Sequence, residues 1–384
     1  MTLEQAVEFL TCLLSEFDFM TAGDRSRAIA SLLTPALKLS GLIKGPIPVD
    51  VAEANASQAG KTYRQKMVAA LYNQNLAVVT KRAGGVGSME ETFSDHLVKG
   101  HAFIQFDNVR GKLDSQVLES FLTAGTHFPA RVPYHGTVDV DPSKFILFIS
   151  SNGFEATKDL VNRASIIRIN KREGHQFRSH EGKDDLQMTF ELQQVWYGAV
   201  IRIIEEWDEQ GRPKTNDTRH DMREWCQTLD WIVQNIFHAA PLMDDHEEAK
   251  TRAASPQLTF LRTLAIAVQE GLELDKPLSA TNLMNLCIDK EIEIPGLSEG
   301  KQTDVDTGKK QIGTILGKLF GKLDELVVEN FRVAKTEELA TTDQGNPQVL
   351  KRYTFRLPPR AVPAHSTTPS AEGNPTPQNA PKSH

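Results

Sequence analysis

The first forty residues show the spacing of two amphipathic helices. Apolar side chains recur three or four positions apart in the first stretch, at Leu3, Val7, Leu10, Leu13 and Leu14. Such spacing places them on one face of a helix. A second apolar stripe, Ala28–Leu37, follows a turn predicted at Gly23–Asp24. We therefore expect a helical segment over residues 1–45.

From Ile47 onward the pattern changes to short apolar runs separated by helical stretches. The predicted strands are Ile47–Ala54, Leu76–Thr80, Ala102–Phe106, Phe145–Ser150 and Ser165–Ile169. The predicted helices between them are Lys61–Tyr72, Met89–Val98 and Leu113–Leu122. Short apolar strands that alternate with helices indicate an α/β domain with a mainly parallel sheet. This domain is predicted over residues 46–175.

After about residue 185 the predicted strands stop. Two amphipathic helices, Phe190–Trp207 and Met222–Phe237, are expected in a lid-like segment over residues 176–250. Residues 256–357 then show three predicted helices followed by two strands: Leu258–Glu270, Thr281–Lys290, Lys309–Leu323, Val327–Ala334 and Leu350–Leu357. Three helices before a hairpin is the order of a winged-helix domain. The proline-rich residues 358–384 have few apolar side chains and are predicted to be disordered.

Composition and charge exclude some classes of protein. The net charge of the 384 residues is −7, which argues against a protein that coats DNA with a basic face. It is compatible with a motor that contacts DNA through a few loops. Three distant cysteines, Cys12, Cys226 and Cys287, form neither a disulfide framework nor a metal-ligand pattern. Because neither a membrane span nor a signal peptide is evident, we expect a cytoplasmic protein without membrane association.

A Gly-Lys-Thr sequence that follows a predicted strand and opens a predicted helix is the strongest chemical signal. The stretch from Asn55 through Ala59, Gly60, Lys61 and Thr62 matches the phosphate-binding loop G-x-x-x-x-G-K-T, with Asn in place of the first glycine. Asn tolerates positive φ better than other non-glycine residues, so the substitution is mild. Backbone N–H groups and Lys61 would hold the phosphates of ATP, and Thr62 would hold Mg²⁺. The alternative is a chance tripeptide at a helix start.

Asp107 is the candidate metal ligand opposite the loop. It ends an apolar strand, Ala102–Phe106, as a Walker B aspartate does. The alternative is a strand that ends in an Asp-Asn turn. An acid that polarises the attacking water would normally come next, and Asn108 stands there instead. The candidate replacements for this base are Glu90, Glu91 and Glu119.

Asn152 and Arg163 complete the set of candidate catalytic residues. Asn152 follows the strand Phe145–Ser150 and could reach the γ-phosphate or the attacking water. An exposed Arg163 before the last strand suits an arginine finger that acts on the ATP of a neighbouring subunit. Taken singly, Asn152 is a turn residue and Arg163 a surface charge. In this order, and with each expected at or next to the carboxyl end of a strand, the elements favour one ligand site.

The stretch from Asp24 to Glu248 resembles the AAA+-like P-loop ATPase of primase-helicase proteins from phages, plasmids and integrated elements, which are related to superfamily 3 helicases. The matching pieces are Asp24-Arg25-Ser-Arg27-Ala28, Glu53-Ala-Asn55, Ala59-Gly-Lys-Thr62, Phe106-Asp107-Asn108-Val109, Leu113-Asp-Ser115, Ser150-Ser-Asn152 and Asp159 to Arg163. In that family Asp-Asn is a usual Walker B ending. Ser150-Ser-Asn-Gly153 departs from the familiar Thr-Gly-Asn-Asn, and no primase domain precedes the ATPase. The resemblance implies ATP and Mg²⁺ as cofactors, single-stranded or forked DNA as partner, a ring of identical subunits and primer synthesis by a separate protein.

A hairpin predicted within Phe128–Val140 is the candidate DNA contact. In superfamily 3 helicases a hairpin at this place grips DNA in a central channel. The resemblance therefore assigns Arg131, Tyr134 and His135 to phosphate contact and base stacking. The alternatives are a structural hairpin or an Arg131 that faces nucleotide. The winged-helix candidate also bears basic residues that could meet phosphates, although such domains often dock proteins instead: Lys309, Lys310, Lys318, Lys322, Lys351 and Arg352.

These features predict an ATP-driven DNA helicase or origin-melting motor of a phage, plasmid or integrated element. The main alternative is an ATP-switched DNA-binding regulator that assembles on DNA without unwinding it. A small-molecule kinase is disfavoured, because nothing in the sequence resembles a substrate lid.

Overall fold

A mainly parallel sheet of six strands organises the first two thirds of the chain. The computed structural model describes residues 1–54, 58–80, 87–132, 136–172, 174–180, 182–297, 301–341 and 347–357. In spatial order the strands are Asp18–Phe19 (β1), Ala164–Asn170 (β10), Val49–Ala54 (β2), Ile146–Ser151 (β8), Phe103–Val109 (β4) and Ala77–Thr80 (β3). Every neighbouring pair is parallel except β1 with β10. The predicted α/β architecture is therefore confirmed.

Helices cover this sheet, and short strands connect them. The helices are α1 (Leu3–Leu13), α2 (Ala22–Leu39), α3 (Lys61–Leu71), α4 (Met89–Val98), α5 (Gln116–Thr123), α6 (Lys158–Asn162), α7 (Asp185–Glu191), α8 (Gln193–Glu209), α9 (Arg223–Asn235) and α10 (His246–Ala253), with a 3-10 turn at Pro142–Lys144. The short strands are β5 (Lys112–Leu113), β6 (Phe128–Val132), β7 (Gly136–Val140), β9 (Glu155–Ala156), β11 (Ser179–His180) and β12 (Lys183–Asp184). One continuous apolar core joins the early helices, the sheet and the helices up to α10.

The path of the chain through the sheet determines where a ligand can bind. After β2 the chain crosses to the distant edge strand β3 and returns through β4 to β8, beside β2. It then crosses β2 to form β10 on the other side. The connection after β2 thus leads to one side of β2, and the connection after β8 leads to its other side. In open α/β sheets such a switch point opens a crevice at the carboxyl ends of the strands.

The C-terminal unit, which we define as residues 256–357, has an apolar core of its own. Its elements are α11 (Pro256–Glu270), β13 (Pro277–Leu278), α12 (Ala280–Asp289), α13 (Val305–Phe320), β14 (Glu325–Val328), β15 (Phe331–Thr341) and β16 (Pro347–Arg356). These strands form an antiparallel sheet in the order β13, β16, β15, β14. Both strands of the predicted hairpin are present, but the sheet has four strands instead of two. A turn at Glu329–Asn330 divides the first predicted strand into β14 and β15, and β13 pairs with β16.

Helix capping explains two other departures from the sequence pattern, and helix packing explains a third. The Thr21 side chain caps α2, so Gly23–Asp24 lies inside its first turn rather than in a turn before it. Ser115 caps α5, which starts three residues later than predicted. The helix predicted over Phe190–Trp207 is two helices separated at Leu192, since α7 packs on α3 while α8 packs on α1. Residues 358–384, predicted to be disordered, lie outside the described residues.

Candidate functional site

Gly60 joins the predicted phosphate loop to helix α3. Its φ of +88° lies in the left-handed region that favours glycine. A Cβ at this position would lie 2.6 Å from Phe177 Cζ and 3.0 Å from Phe17 Cε1, so the aromatic side chains also exclude a larger residue. Gly60 provides no side-chain cap for the first N–H groups of α3. Ala59 is buried, and Asn55 lies outside the described residues.

Lys61 and Asn152 meet at the carboxyl end of the sheet. Lys61 Nζ donates to Asn152 Oδ1 over 2.5 Å, although the two residues are 91 positions apart. Burial lowers the pKa of Lys61, and the nearby carboxylates of Asp107 and Glu53 partly oppose this effect. The ammonium group is therefore held in a partly desolvated position, where an anionic oxygen would interact with it more strongly than in water.

Thr62, Asp107 and Ser150 form a second group of polar side chains beside the first. Thr62 Oγ1 donates to Asp107 Oδ1 over 3.0 Å, and Ser150 Oγ donates to the same oxygen over 2.6 Å. Ser150 Oγ also accepts from the backbone N–H of Asn108 over 2.9 Å. A carboxylate flanked by hydroxyls suits Mg²⁺, which takes few protein ligands and completes its octahedron with water and phosphate oxygens. The sequence analysis did not select Ser150 as a site residue, although its position at the end of an apolar run was the available signal.

An irregularity in β4 directs Asp107 toward Thr62. Strand β4 pairs regularly with β8 up to Phe106, and its register shifts before Val109. Asn108 lies within this shift, with a φ of +51° and an exposed side chain. Bulges of this kind redirect side chains and are common beside active sites. Local backbone geometry, as well as strand order, therefore brings the carboxylate to the site.

A buried polar network holds α3 against the sheet. The Arg64 guanidinium forms an ion pair with Asp50 and donates to Ser31 Oγ over 3.1 Å. Gln65 Nε2 donates to Asp50 Oδ1 over 3.0 Å and to the Ile149 carbonyl over 2.9 Å. Gln105 Nε2 in turn donates to Gln65 Oε1 over 2.7 Å. The helix that presents Lys61 and Thr62 is thereby connected to β2, β8 and β4. The sequence analysis missed this network.

Arg163 lies at the amino ends of the parallel strands, whereas Lys61 lies at their carboxyl ends. It directly precedes β10, whose first residue, Ala164, pairs with Val49, the first residue of β2. Lys61 lies beyond the other end of β2, whose six residues span about 20 Å. The expectation that Arg163 shares the carboxyl edge with the other candidates is therefore wrong, because it lies where β10 begins. The side chain is partly buried rather than exposed, and Arg163 Nη1 donates to the Glu119 carbonyl over 3.4 Å.

Two of the acids considered as catalytic base have other contacts. The Glu119 carboxylate accepts from Thr157 Oγ1, and its backbone carbonyl accepts from Arg163 Nη1. The Glu91 carboxylate accepts from the backbone N–H of Gly87. Glu90 is partly exposed in the first turn of α4. These contacts favour Glu119 as a partner of Arg163 rather than as a base beside Lys61.

The predicted hairpin is confirmed by the antiparallel pairing of β6 with β7, in which Arg131 lies opposite Thr137. The hairpin packs against α4, and the side chain of Arg131 is exposed. His127 Nδ1 lies 2.7 Å from Asp139 Oδ2 near its base. Tyr134 and His135 lie outside the described residues.

The basic residues proposed for DNA contact in the C-terminal unit are partly neutralised by acids. Lys309 Nζ lies 2.5 Å from Asp306, and Lys351 Nζ lies 3.8 Å from Glu337. Arg352 Nε lies 3.9 Å from Glu338. These exposed pairs weaken the positive field of this surface.

No protein-family model matches the chain, and no curated protein is significantly similar to it. The resemblance to primase-helicase ATPases therefore rests on the short sequence pieces given above. In the part of the chain that the structure describes, no helix has the length and apolar character needed to cross a membrane.

Proposed function

We propose that the chain is an AAA+-like P-loop ATPase that couples ATP hydrolysis to work on DNA. The observation that supports this most is the convergence of Lys61, Thr62, Asp107 and Asn152 from a helix start and two strand ends. Residues 45 and 91 positions apart in sequence are thus brought into contact. This convergence lies at the switch point of the sheet, where ligands of open α/β folds bind.

The roles of these residues follow from their chemistry. The N–H groups at the start of α3 and the Lys61 ammonium would bind the β- and γ-phosphates. Thr62 and Asp107 would hold Mg²⁺, which neutralises phosphate charge when it is bound. The Asn152 amide, already in contact with Lys61, would orient the γ-phosphate or the attacking water.

Arg163 would act on the nucleotide of a neighbouring subunit. Because the Arg163 backbone lies about the length of β2, roughly 20 Å, from the strand end that leads to Lys61, its side chain would not reach a γ-phosphate in the same chain. The same separation suits a closed assembly, in which one edge of each sheet faces the opposite edge of the next. A ring of identical subunits is therefore the form of the protein that we propose.

DNA would contact the β6–β7 hairpin, where Arg131 is exposed. Tyr134 and His135 would supply stacking surfaces for bases. We assign the winged-helix-like C-terminal unit to the recruitment of DNA, supported by its helices and antiparallel sheet in the order α11, β13, α12, α13, β14, β15, β16. An origin-melting or helicase motor would use both surfaces. As the motor of a phage, plasmid or integrated element, it would obtain primers from a separate primase.

A second candidate, an ATP-switched DNA-binding regulator, is favoured by Asn108. An amide cannot accept a proton from water as a carboxylate does. Its exposed position after Asp107 would then give slow turnover and a long-lived ATP state. Such a protein would assemble on DNA with ATP but would not separate strands.

The test is a strand-displacement and ATPase assay on forked DNA with wild-type protein, Lys61→Ala and Lys66→Ala. Lys66 is an exposed lysine on the same helix and serves as the matched control. We expect Lys61→Ala to lower ATP turnover by about 100-fold or more, because it removes a preorganised charge at the phosphates. Lys66→Ala should behave as wild type.

The three results lead to different conclusions. Turnover with strand displacement supports the motor, and ATP-dependent DNA binding without displacement supports the switch. Undiminished ATPase in Lys61→Ala would contradict the phosphate-loop assignment itself.

A further inference from the structure

A buried cluster of charged side chains joins the C-terminal unit to the strand ends beside the candidate nucleotide site. The cluster contains Glu53 at the end of β2, Arg252 in α10, Arg262 in α11 and Glu329 in the turn between β14 and β15. All four side chains are almost completely buried. Buried charges are retained only where they are well paired, since removal of one partner leaves the other uncompensated.

Glu329 is the acid that the C-terminal unit contributes. Its Oε2 accepts from Arg262 Nε over 2.6 Å, and its Oε1 lies 2.6 Å from Arg252 Nε. The second contact is an ion pair without hydrogen-bond alignment. Burial opposes ionisation of this carboxyl, but the guanidinium groups of Arg262, Arg252 and Arg168 outweigh it and lower its pKa to about 2. Glu329 is therefore charged at neutral pH.

The same arginines hold the loop that presents Asn152. Arg262 Nη1 donates to the Asn152 carbonyl over 3.5 Å, and Arg252 Nη1 donates to the Phe154 carbonyl over 3.4 Å. Glu53, which forms an ion pair with Arg252, accepts from the Phe154 N–H over 3.1 Å. The loop that aims the Asn152 amide at Lys61 is thus fixed on its other side by groups that Glu329 holds in place.

The backbone at Glu329 is also unusual for this side chain. Its φ of +50° lies in the left-handed region. Two-residue hairpin turns ordinarily place Gly, Asn or Asp at such positions, because other residues are strained there. A glutamate that accepts this conformation, and directs its carboxylate into the neighbouring part of the protein, indicates that the side chain has a role beyond the turn.

We propose that Glu329 is a positioning residue that makes hydrolysis depend on docking of the C-terminal unit. While its carboxylate pairs with Arg252 and Arg262, these arginines hold the loop at Asn152–Phe154 in place. Asn152 then faces Lys61. When the C-terminal unit moves away, Arg252 loses this anion, Arg262 leaves with the unit, and the loop loses its support. The proposal rests on the proposed ATPase function, but its structural part can be tested without nucleotide.

The experiment compares full-length wild type, Glu329→Gln and Glu325→Gln. Glu325 is a matched control, because it lies on β14 close to the same turn with a side chain that is 46% exposed. Glu329→Gln keeps the shape of the side chain and removes its charge. We expect kcat for ATP to fall about 10- to 100-fold, as a small displacement of a positioned group can cause. Affinity for a fluorescent ATP analogue, whose phosphates would contact Lys61 directly, should change less than about threefold.

Hydrogen exchange of the amides at Gly153 and Phe154 provides the readout that does not require ATP. These amides donate to Ser151 Oγ and Glu53 Oε1, so they report directly on the support of the loop. Faster exchange confined to this loop in Glu329→Gln, with Glu325→Gln unchanged, is the expected result.

Three outcomes overturn the proposal. The first is a kcat in Glu329→Gln within twofold of wild type. The second is unchanged exchange at the loop. The third is faster exchange throughout the sheet at a temperature well below unfolding, which would make Glu329 a residue of general stability. If wild type neither binds nor hydrolyses ATP, the proposed function fails, while the exchange comparison still decides whether Glu329 supports the loop.

Discussion

The two ends of the parallel strands in the central sheet, which we call the carboxyl edge and the amino edge, are built in different ways. At the carboxyl edge, Lys61 contacts Asn152 and Thr62 contacts Asp107, and a buried polar network anchors the helix that carries Lys61 and Thr62. At the amino edge, Arg163 makes a long contact of 3.4 Å with a backbone carbonyl and its side chain is partly accessible. The side-chain contacts at the carboxyl edge all form within one chain.

The difference teaches that the candidate catalytic residues do not form one constellation in a single subunit. Four lie together at the carboxyl ends of the strands, whereas Arg163 lies at their amino ends. The comparison therefore leads to expectations about both edges, taken here from the largest effect to the smallest.

The largest effect is expected for Arg163→Ala, which should lower ATPase about 1,000-fold if the guanidinium stabilises the transition state. Mixed with Lys61→Ala subunits at equal amounts, it should recover up to about a quarter of wild-type activity, because that fraction of interfaces pairs an intact lysine with an intact arginine. ATPase measured across mixing ratios checks this. Lys158→Ala, an exposed change on the neighbouring helix, is the control. The absence of recovery in assemblies shown to be mixed would place the role of Arg163 within its own chain.

Asp107→Asn should lower ATPase about 100-fold and raise the Mg²⁺ concentration needed for half-maximal activity. The amide keeps the size of the side chain but loses the charge that would attract the cation. ATPase titrated with Mg²⁺ measures both effects, with Asp95→Asn on α4 as a control outside the site. An unchanged Mg²⁺ requirement would remove Asp107 from the metal site.

Acid should weaken the amino edge through His220. Burial lowers its pKa to about 4, although its ring contacts the Ala164 carbonyl at the start of β10. Because the folded pKa lies below the unfolded value of 6.5, the stability contributed by the neutral ring is present above pH 6.5 and is lost as pH falls toward 4. The loss amounts to about 3 kcal/mol.

Denaturant unfolding at several pH values checks this loss. His220→Gln should make the free energy of unfolding depend less on pH. Part of the dependence should remain, because the pKa of the buried His246 is also lowered. Stability of the wild type that stays constant from pH 7 to pH 5 would contradict the expectation.

The smallest effect is expected at the hairpin. Replacement of Tyr134 and His135 by Ala should weaken DNA binding about tenfold and abolish unwinding, because stacked bases contribute about 1–3 kcal/mol each. Basal ATPase should remain, since these residues would lie away from the phosphates. Anisotropy with labelled single-stranded DNA measures the affinity. Normal unwinding by this variant would favour the regulator over the motor.

The central sheet could be predicted from sequence because its strands are apolar runs. Buried parallel strands require apolar residues on both faces, and this requirement is visible without any tertiary information. The cluster at Lys61 was predictable for a related reason, since polar residues that follow such runs meet at one edge. Arg163 was misplaced because a residue between a helix and a strand belongs to the edge where that strand begins.

The charged cluster around Glu329 could not be predicted in this way. Arg252 contacts Glu53 across 199 positions, and no local pattern distinguishes a buried arginine from a solvated one. The division of Phe190–Trp207 at Leu192 could not be predicted either, because local sequence spacing does not show tertiary contacts. Its apolar spacing suits a single helix, whereas packing on two different helices separates it.

The separation in sequence of the contacting residues also has a kinetic consequence. Lys61 and Asn152 meet only after β2, β4 and β8 have paired, so the site depends on contacts with a high sequence separation. Such contacts form slowly, because the entropy of closing long loops is lost before any contact compensates for it. During synthesis, helix α3, which carries Lys61, would leave the ribosome long before strand β8, which leads to Asn152. A nascent chain that ends before β8 would therefore have the sequence signature of a nucleotide site without the site itself.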